Sequence, residues 1–450
     1  MEEIEGLVHA LRVGDDAATA AAALALGGLA CNDANRVLIA EAGGIPPLVE
    51  VLRNGSADCK PEAAGALYRL ALHNFASQVL IAEAGGIPPL VDVVCNGIPD
   101  AKLMAAIALD ALAHNRANRV LIGEAGGIVP LVDLVRNGTR TAGDAKLALA
   151  ATAALHVLAH NAANRVLIAE AGGIVPLVEL LRDGSADAKA CAAAALFLLS
   201  SDAANEVAIA EAGAIPPLVE LLSVFLRDEI AWAKSEAAAA LCNLAGGNAA
   251  NKVAIAEAGA IPPLVELLRD GSADAKRTAA AALGNLACDN AANAVLIAAA
   301  GGIPPLVELL RDGSADAKHR ATGALGNLAC ENAANKVAIA EAGGIPPLVE
   351  LLRDGSAKAK QRAAWALGNL ASDNAANAVA IAAAVGFDAL VQLARGGDVT
   401  VDNESIVHDA GVPAKREAAL VVAALLRGCV PDEARSQVRD LVPDVIGPFL

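Results

Sequence analysis

The sixteen residues Glu341-Ala-Gly-Gly-Ile-Pro-Pro-Leu-Val-Glu-Leu-Leu-Arg-Asp-Gly-Ser356 recur along most of the chain. The first position of each copy is Glu or Ala, and the copies start at residues 41, 83, 124, 170, 211, 257, 299, 341 and 383. A nearly fixed period of this length is typical of stacked supersecondary units. Because each unit contacts mainly its neighbours, we expect long continuous surfaces rather than a single catalytic pocket.

One copy shows how these units fold. Asn290 is a good helix N-cap, and the short helix that follows is expected to end at Gly301-Gly302, since glycine tolerates the left-handed conformation. The Pro304-Pro305 pair predicts the first turn of a second helix, the one place where proline is tolerated in a helix. Ser314 is the expected N-cap of a third and longest helix, residues 315–330, whose apolar residues have helical spacing.

The composition favours thin, tightly packed helical layers. Hydrophobic residues make up 56% of the 450 residues and aromatic residues only 2%, and much of the difference is alanine, the best helix former. Uncharged runs such as residues 17–32 are shorter than the roughly 20 residues that a membrane span needs. The acidic amino terminus lacks the basic start of a signal peptide. We therefore expect an all-α protein that does not insert into a membrane.

The net charge of −17 would repel a phosphate backbone, so nucleic acid is not an expected partner. The same charge would attract basic segments, or it serves only to keep an alanine- and leucine-rich surface in solution. None of the eight cysteines forms a C-x-x-C pair. This cysteine usage fits a reducing intracellular compartment, cytoplasmic or nuclear or both.

No motif for catalysis is present. The sequence contains no phosphate-binding G-x-x-x-x-G-K-S/T loop, no G-x-S-x-G elbow and no H-E-x-x-H helix. His73, His114 and His160 stand one to a repeat, too far apart to share a metal ion. We expect no enzyme activity, no cofactor, no metal and no small-molecule substrate.

The order of a short Asn-capped helix, a Gly-Gly corner, a Pro-initiated helix and a longer helix resembles the armadillo repeat. The signature pieces are N-x-V-x-I-x-E-A-G-G/A-I-P-P-L-V-E-L-L and A-L-G-N-L-A, and the resemblance covers nearly the whole chain. It implies a right-handed superhelical solenoid of about ten repeats of about 42 residues, with three helices in each. We expect a single domain, 1–450, with a capping repeat at 1–40, central repeats at 41–382 and a degenerate repeat and cap at 383–450.

In armadillo proteins the third helices line a concave groove, where asparagines can hold the backbone of an extended peptide. The matching asparagines here are Asn243, Asn285, Asn327 and Asn369. An asparagine amide both donates and accepts hydrogen bonds, so it can satisfy the N–H and C=O of one peptide residue. Packed helices lie about 8–10 Å apart, and an extended chain advances about 3.3 Å per residue. The alternative is that these asparagines form hydrogen bonds between stacked repeats.

The transport-adaptor (importin-α) branch of this family places tryptophan four residues before the asparagine and uses nearby acids to receive Lys or Arg. Trp365 occupies the tryptophan position once, as a groove residue or as packing. Four residues after the asparagines stand Asp289, Glu331 and Asp373, and eight residues before them stand Arg277 and His319. We therefore expect one acidic and one basic lip.

The amino-terminal half departs from this pattern, because its asparagine slot holds Gly28, Arg69, Ala111, Val157 and Leu198. A peptide groove is expected only in repeats 6 to 9. Val157 and Leu198 instead indicate an apolar patch for a helix or another partner.

The expected function is that of a protein–protein interaction scaffold that binds extended peptide segments, Lys/Arg-rich ones among them, along the concave groove of repeats 6 to 9. Other interpretations remain open at this point. They are a nuclear import adaptor, a catenin-like structural or adaptor scaffold for a folded or helical partner, a ubiquitin-ligase substrate module, and an engineered or consensus armadillo array without a native ligand.

Overall fold

The computed structural model describes residues 1–138, 144–223 and 232–385, and within these ranges the chain forms 27 helices and no strands. The chain divides into two compact units. Unit 1 contains Met1–Pro217, with Trp232 and Ala233, and unit 2 contains residues 218–223 and the described chain from Lys234 onward. The predicted degenerate repeat and cap at 383–450 lie outside the described residues from 386 onward.

Repeats 2 to 9 each have a first helix (H1), a second helix (H2) and a third helix (H3). Repeat 1 contains H2 and H3 only, and H1 is the only helix of repeat 10 within the described residues. The H1 helices are α3 (Asp33–Glu41), α6 (Phe75–Glu83), α9 (Arg116–Glu124), α12 (Ala162–Glu170), α15 (Ala203–Glu211), α18 (Ala249–Glu257), α21 (Ala291–Ala299), α24 (Ala333–Glu341) and α27 (Ala375–Val385). The H2 helices are α1 (Glu2–Val13), α4 (Ile45–Asn54), α7 (Ile87–Asn96), α10 (Ile128–Gly138), α13 (Ile174–Asp183), α16 (Ile215–Ser223), α19 (Ile261–Asp270), α22 (Ile303–Asp312) and α25 (Ile345–Asp354). The H3 helices are α2 (Asp16–Leu29), α5 (Cys59–Ala71), α8 (Pro99–Ala113), α11 (Ala145–Leu158), α14 (Ala186–Leu199), α17 (Trp232–Ala245), α20 (Ala273–Ala287), α23 (Ala315–Ala329) and α26 (Ala357–Ala371). The predicted all-α repeat of three helices is confirmed.

Local side-chain chemistry begins and ends these helices where the sequence predicts. The side chain of Asn290 accepts a hydrogen bond of 3.0 Å from the backbone N–H three residues later, and Ser314 does the same at 3.3 Å. Gly301 has a φ of 78°, the left-handed conformation that ends α21 at little steric cost. The Pro304-Pro305 pair lies in the first turn of α22.

The third helices of consecutive repeats pack side by side within each unit, α2 to α14 in unit 1 and α20, α23 and α26 in unit 2. Small residues permit this close approach: a Cβ added to Gly284 would lie 3.3 Å from the Ala324 Cα. Leu325 and Leu328, on the predicted apolar face of α23, are buried. Burial of this leucine row supplies the main stabilising free energy of each layer.

A buried asparagine in H1 ties neighbouring repeats together. Asn335, 4% exposed, donates from Nδ2 to the carbonyl oxygens of Leu328 at 2.9 Å and Ala294 at 3.3 Å. Ala294 belongs to H1 of the preceding repeat, so the amide bridges two repeats. The same pair of hydrogen bonds recurs at Asn118, Asn164, Asn293 and Asn377. Buried amides need such partners, and these bonds set the register between adjacent layers.

No single helix in the described ranges is long and apolar enough to cross a membrane. Two pairs, α6 with α7 and α21 with α22, reach the required length and apolar character only together, and each pair is bent by 81° or 82°.

Candidate peptide-binding site in repeats 6 to 9

The predicted asparagine row lies on four H3 helices of unit 2, with each side chain half-buried. The amide nitrogens of three of its members donate to backbone carbonyls of the preceding H3. The bonds are Asn285 to Cys242 at 2.9 Å, Asn327 to Gly284 at 2.8 Å and Asn369 to Gly326 at 3.0 Å. The stacking bond that the sequence left as an alternative is therefore present. Because an amide nitrogen carries two N–H groups and its oxygen accepts separately, this bond and a peptide contact are compatible.

Trp365 lies across the preceding third helix. A Cβ added to Gly326 would overlap the indole ring, so the absence of a side chain at Gly326 makes room for it. The ring is half-buried. Trp365 thus packs between α23 and α26 and still keeps part of its surface accessible. The packing role is present in the structure, and the groove role stays a prediction.

The predicted acids stand in the turns between H3 and the next H1. Asp289, Glu331 and Asp373 are exposed and have φ values of 51°, 50° and 51°. This left-handed conformation costs an ordinary residue about 1–2 kcal/mol. Gly247, at the same place in repeat 6, has a φ of 67°. The three acids therefore occupy corners where glycine is the favoured residue.

The predicted basic lip has its positive charge on arginine and lysine rather than on histidine. Arg277 donates to Asp274 at 2.6 and 3.0 Å, and this hydrogen bond lowers the pKa of the Asp274 carboxyl. Burial, reinforced by the positive charges of Arg362, Arg320 and Lys358, lowers the pKa of His319 to about 4. His319 is therefore uncharged at neutral pH, which corrects the expectation that it adds charge to this lip.

Of the two residues expected to form an apolar patch in the amino-terminal half, Val157 is buried with 8% exposure, and only Leu198, half-buried, keeps accessible surface. Unit 1 instead has a cavity of about 410 Å³ between α2, α5 and α8. Its lining combines apolar Leu24, Ile98 and Met104 with the acids Asp58, Glu62 and Asp100, and includes Arg69. The sequence gives no direct signal for this cavity, because its wall is assembled from three repeats.

Two buried lysines that were not identified from the sequence donate hydrogen bonds to backbone carbonyls. The Lys252 Nζ, with the residue 7% exposed, donates to the Cys288 carbonyl at 2.7 Å. Lys336 makes the equivalent bond to Ser372 at 2.6 Å. A cation at the carboxyl end of a helix is stabilised by the helix dipole. The repeated Asn-Lys pair at the start of H1 is the sequence signal that could have revealed them.

Comparisons with known proteins agree with this architecture. The sequence pattern described as Armadillo/beta-catenin-like repeat matches residues 32–72, 248–288, 290–330 and 332–372. Among 377 solved chains that match, the crystal structure of an engineered protein from the Northeast Structural Genomics Consortium is similar with a TM-score of 0.80 and 30% sequence identity. The match covers 95% of this chain and 100% of that one. No curated protein matches. The chain belongs to the armadillo-repeat family.

Proposed function

We propose that repeats 6 to 9 bind an extended peptide segment, Lys/Arg-rich sequences among the candidates, along their third helices. Armadillo repeats generally mediate protein–protein interactions, and armadillo scaffolds are generally not enzymes. The finer proposal concerns where this chain binds and which chemistry it recognises.

The proposal rests on the row Asn285, Asn327 and Asn369. Each amide is half-buried and is held in the same orientation by a hydrogen bond to the preceding third helix. A side chain that is already ordered loses less entropy on binding. The row therefore offers preoriented donors and acceptors at the spacing of packed helices, about 8–10 Å, which matches two or three residues of an extended peptide.

The acids at the turns support a preference for basic side chains. Asp289, Glu331 and Asp373 are exposed and lie four residues beyond the asparagines. Their backbone conformation favours glycine, so a carboxylate is retained there at a cost in stability. Residues held in such conformations often cluster at functional sites.

The remaining parts of the proposal concern partner class and location. A net charge of −17 favours basic protein segments over nucleic acid. None of the seven cysteines in the described ranges forms a disulfide bond, which supports a reducing compartment in the cytoplasm or the nucleus.

The test is a titration of basic and acidic peptides of equal length at low salt, followed by fluorescence anisotropy. We expect the basic peptide to bind more tightly, and Asn327→Ala with Asn369→Ala to weaken it by about tenfold or more, since each hydrogen bond contributes about 1 kcal/mol. Thermal melts of each variant establish that the repeats remain folded. Unchanged affinity in the folded double variant would remove the groove proposal.

The contribution of the acidic side chains is tested separately. The asparagines also form hydrogen bonds between repeats, so their substitution can change stability as well as binding. The triple variant Asp289→Asn, Glu331→Gln and Asp373→Asn is expected to weaken only the basic peptide. Exposed acids at the ends of α18 and α24 provide the matched control, Glu257→Gln with Glu341→Gln. Equal effects of the two sets would indicate general charge attraction without a site. If no peptide binds, a scaffold for a folded or helical partner becomes the better interpretation.

A further inference from the structure

A positively charged cluster lies on the third helices of repeats 7 to 9, although the whole chain is acidic. The opening of α26, residues 357–362, carries three positive charges and no acid. The place of Lys358 is held by Asp274 in α20 and by Asp316 in α23. Positive charge therefore accumulates toward repeat 9.

Arg320, in the middle of this cluster, is only partly paired within the part of the chain that the structure describes. Its Nε atom is buried without a hydrogen-bond partner, and the nearest carboxylate oxygen, on Asp316, is 3.6 Å away. By contrast, Arg277 has two hydrogen bonds to Asp274 and a 3.5 Å ion pair with Asp316. A guanidinium has five N–H donors, and leaving a buried donor unpaired is costly. The Nε atom itself is closed to ligands, but the side chain is 30% exposed, so its other N–H groups are available to an anion.

A second guanidinium reaches the same surface. Arg362 extends from α26 onto α23, where a Cβ on Gly323 would overlap its Nη1 atom. Gly323 is three residues from Arg320, so the guanidinium of Arg362, which extends from α26, lies against the same face of α23 as Arg320. The pKa of His319 is lowered by burial and then by Arg362, Arg320 and Lys358, and the opposing effect of Asp316 is smaller. The local field is thus positive, and planar guanidinium groups are well matched to carboxylate and phosphate.

This cluster lies beside the asparagine row on the same helix faces. Arg320 precedes Asn327 by seven residues, and Arg362 precedes Asn369 by seven, two helical turns in each case. Glu331 and Asp373 lie beyond the asparagines at the other end of the same helices. Successive side chains of an extended peptide point to opposite sides. A peptide held by the asparagines would therefore present alternate side chains to lips of opposite charge.

We propose that the segment bound by repeats 7 to 9 carries charges of both signs, with an anionic side chain docked at Arg320 and Arg362 and basic side chains directed toward Glu331 and Asp373. This inference rests on the function proposed above and specifies its ligand. The anion is a carboxylate or a phosphate ester of the peptide itself.

The experiment compares three peptides of about twelve residues, identical except at the positions facing the basic lip. These positions hold Glu, phosphoserine or Gln, and lysines fill the positions facing the acids. We expect the Glu peptide to bind about fivefold more tightly than the Gln peptide, as a partly exposed ion pair implies. A further gain for phosphoserine would identify phosphate as the preferred anion.

Arg320→Gln is expected to abolish the preference for Glu over Gln. Arg269→Gln, an exposed arginine at the end of α19, is the matched control and should leave the preference intact. Arg362→Gln provides a second variant should Arg320→Gln fold poorly.

The outcomes separate the two proposals. Equal binding of the Glu and Gln peptides, with both dependent on Asn327 and Asn369, would overturn the charge inference alone. A preference that survives in both arginine variants would also overturn it. Absence of binding by all three peptides would overturn the proposed function together with the inference.

Discussion

At the scale of single residues, Asp110 on α8 is the one described carboxylate with a buried oxygen that lacks a hydrogen-bond partner. Its Oδ1 atom is buried without a hydrogen-bond partner among the described residues, and burial raises its pKa to about 6 from the usual 3.8. Between these two values the unfolded chain has released this proton and the folded chain has kept it. Asp110 therefore makes the fold less stable as pH rises from 3.8 to about 6.

We expect Asp110→Asn to stabilise the chain at pH 7.5 by about 3 kcal/mol, because the pKa rises from 3.8 to about 6 and one pKa unit corresponds to about 1.4 kcal/mol. The gain should disappear near pH 4, where the native side chain is protonated in the folded state. Urea unfolding at both pH values measures this. The exposed Asp100→Asn on the same helix is the control and should show little change at either pH. An equal gain from Asp110→Asn at pH 4 and pH 7.5 would contradict the assignment.

At the scale of elements, contacts between third helices depend on glycines, which leave room for side chains of the next repeat. Gly326 on α23 leaves space for the indole of Trp365 on α26, and Gly323 leaves space for Arg362. In an isolated helix both glycines would be unfavourable compared with alanine. Their value appears only when the next repeat is stacked on them.

Gly326→Ala should therefore destabilise unit 2 by about 1–3 kcal/mol, the usual cost of overpacking. It should also change the fluorescence of Trp365, one of two tryptophans in the chain. Gly65→Ala on α5 is the matched control, since its Cβ would lie 3.6 Å from the nearest Met104 atom, an ordinary contact. That variant should be neutral or stabilised by about 0.5–1 kcal/mol. If the two variants behave alike in urea unfolding, the packing argument is wrong.

At the scale of the whole molecule, each unit is held together by contacts between adjacent repeats. Within both units the main helix pairs belong to one repeat or to two neighbouring repeats. In such arrays stability is close to a sum of repeat and neighbour terms. A destabilising substitution in one repeat is therefore expected to unfold that repeat and its neighbours rather than the whole unit.

Leu325→Asp tests this expectation inside unit 2. Leu325 is fully buried, and a carboxylate there loses the apolar contacts and brings an unpaired charge into the core. We expect faster amide hydrogen exchange in α22 to α26 and a lower melting temperature by circular dichroism. The control is Val295→Asp, the same kind of change at a side chain that is 53% exposed. An unchanged melting curve for Leu325→Asp would contradict additive stacking.

The sequence located most residues of the candidate site, but it did not determine their hydrogen-bond partners or charge states. The asparagine row could be located because a repeat of about 42 residues aligns its third helices. Its bonds to Gly284 and Gly326 could not be assigned, since an amide can bond to a neighbouring helix or to a ligand. That His319 adds no positive charge to the basic lip could not be read from the sequence, because the pKa of its imidazole depends on burial and on Arg362 from the next repeat.

The sequence by itself determined the helices, their caps and their order. Asn290, Ser314 and the Pro304-Pro305 pair act through backbone groups a few residues away, so their effect can be read along the chain. Only the tertiary structure decided the burial of Asp110 and the burial of the Arg320 Nε atom without a hydrogen-bond partner among the described residues. Both depend on how neighbouring helices pack around the side chain, and local propensity carries no information about that packing.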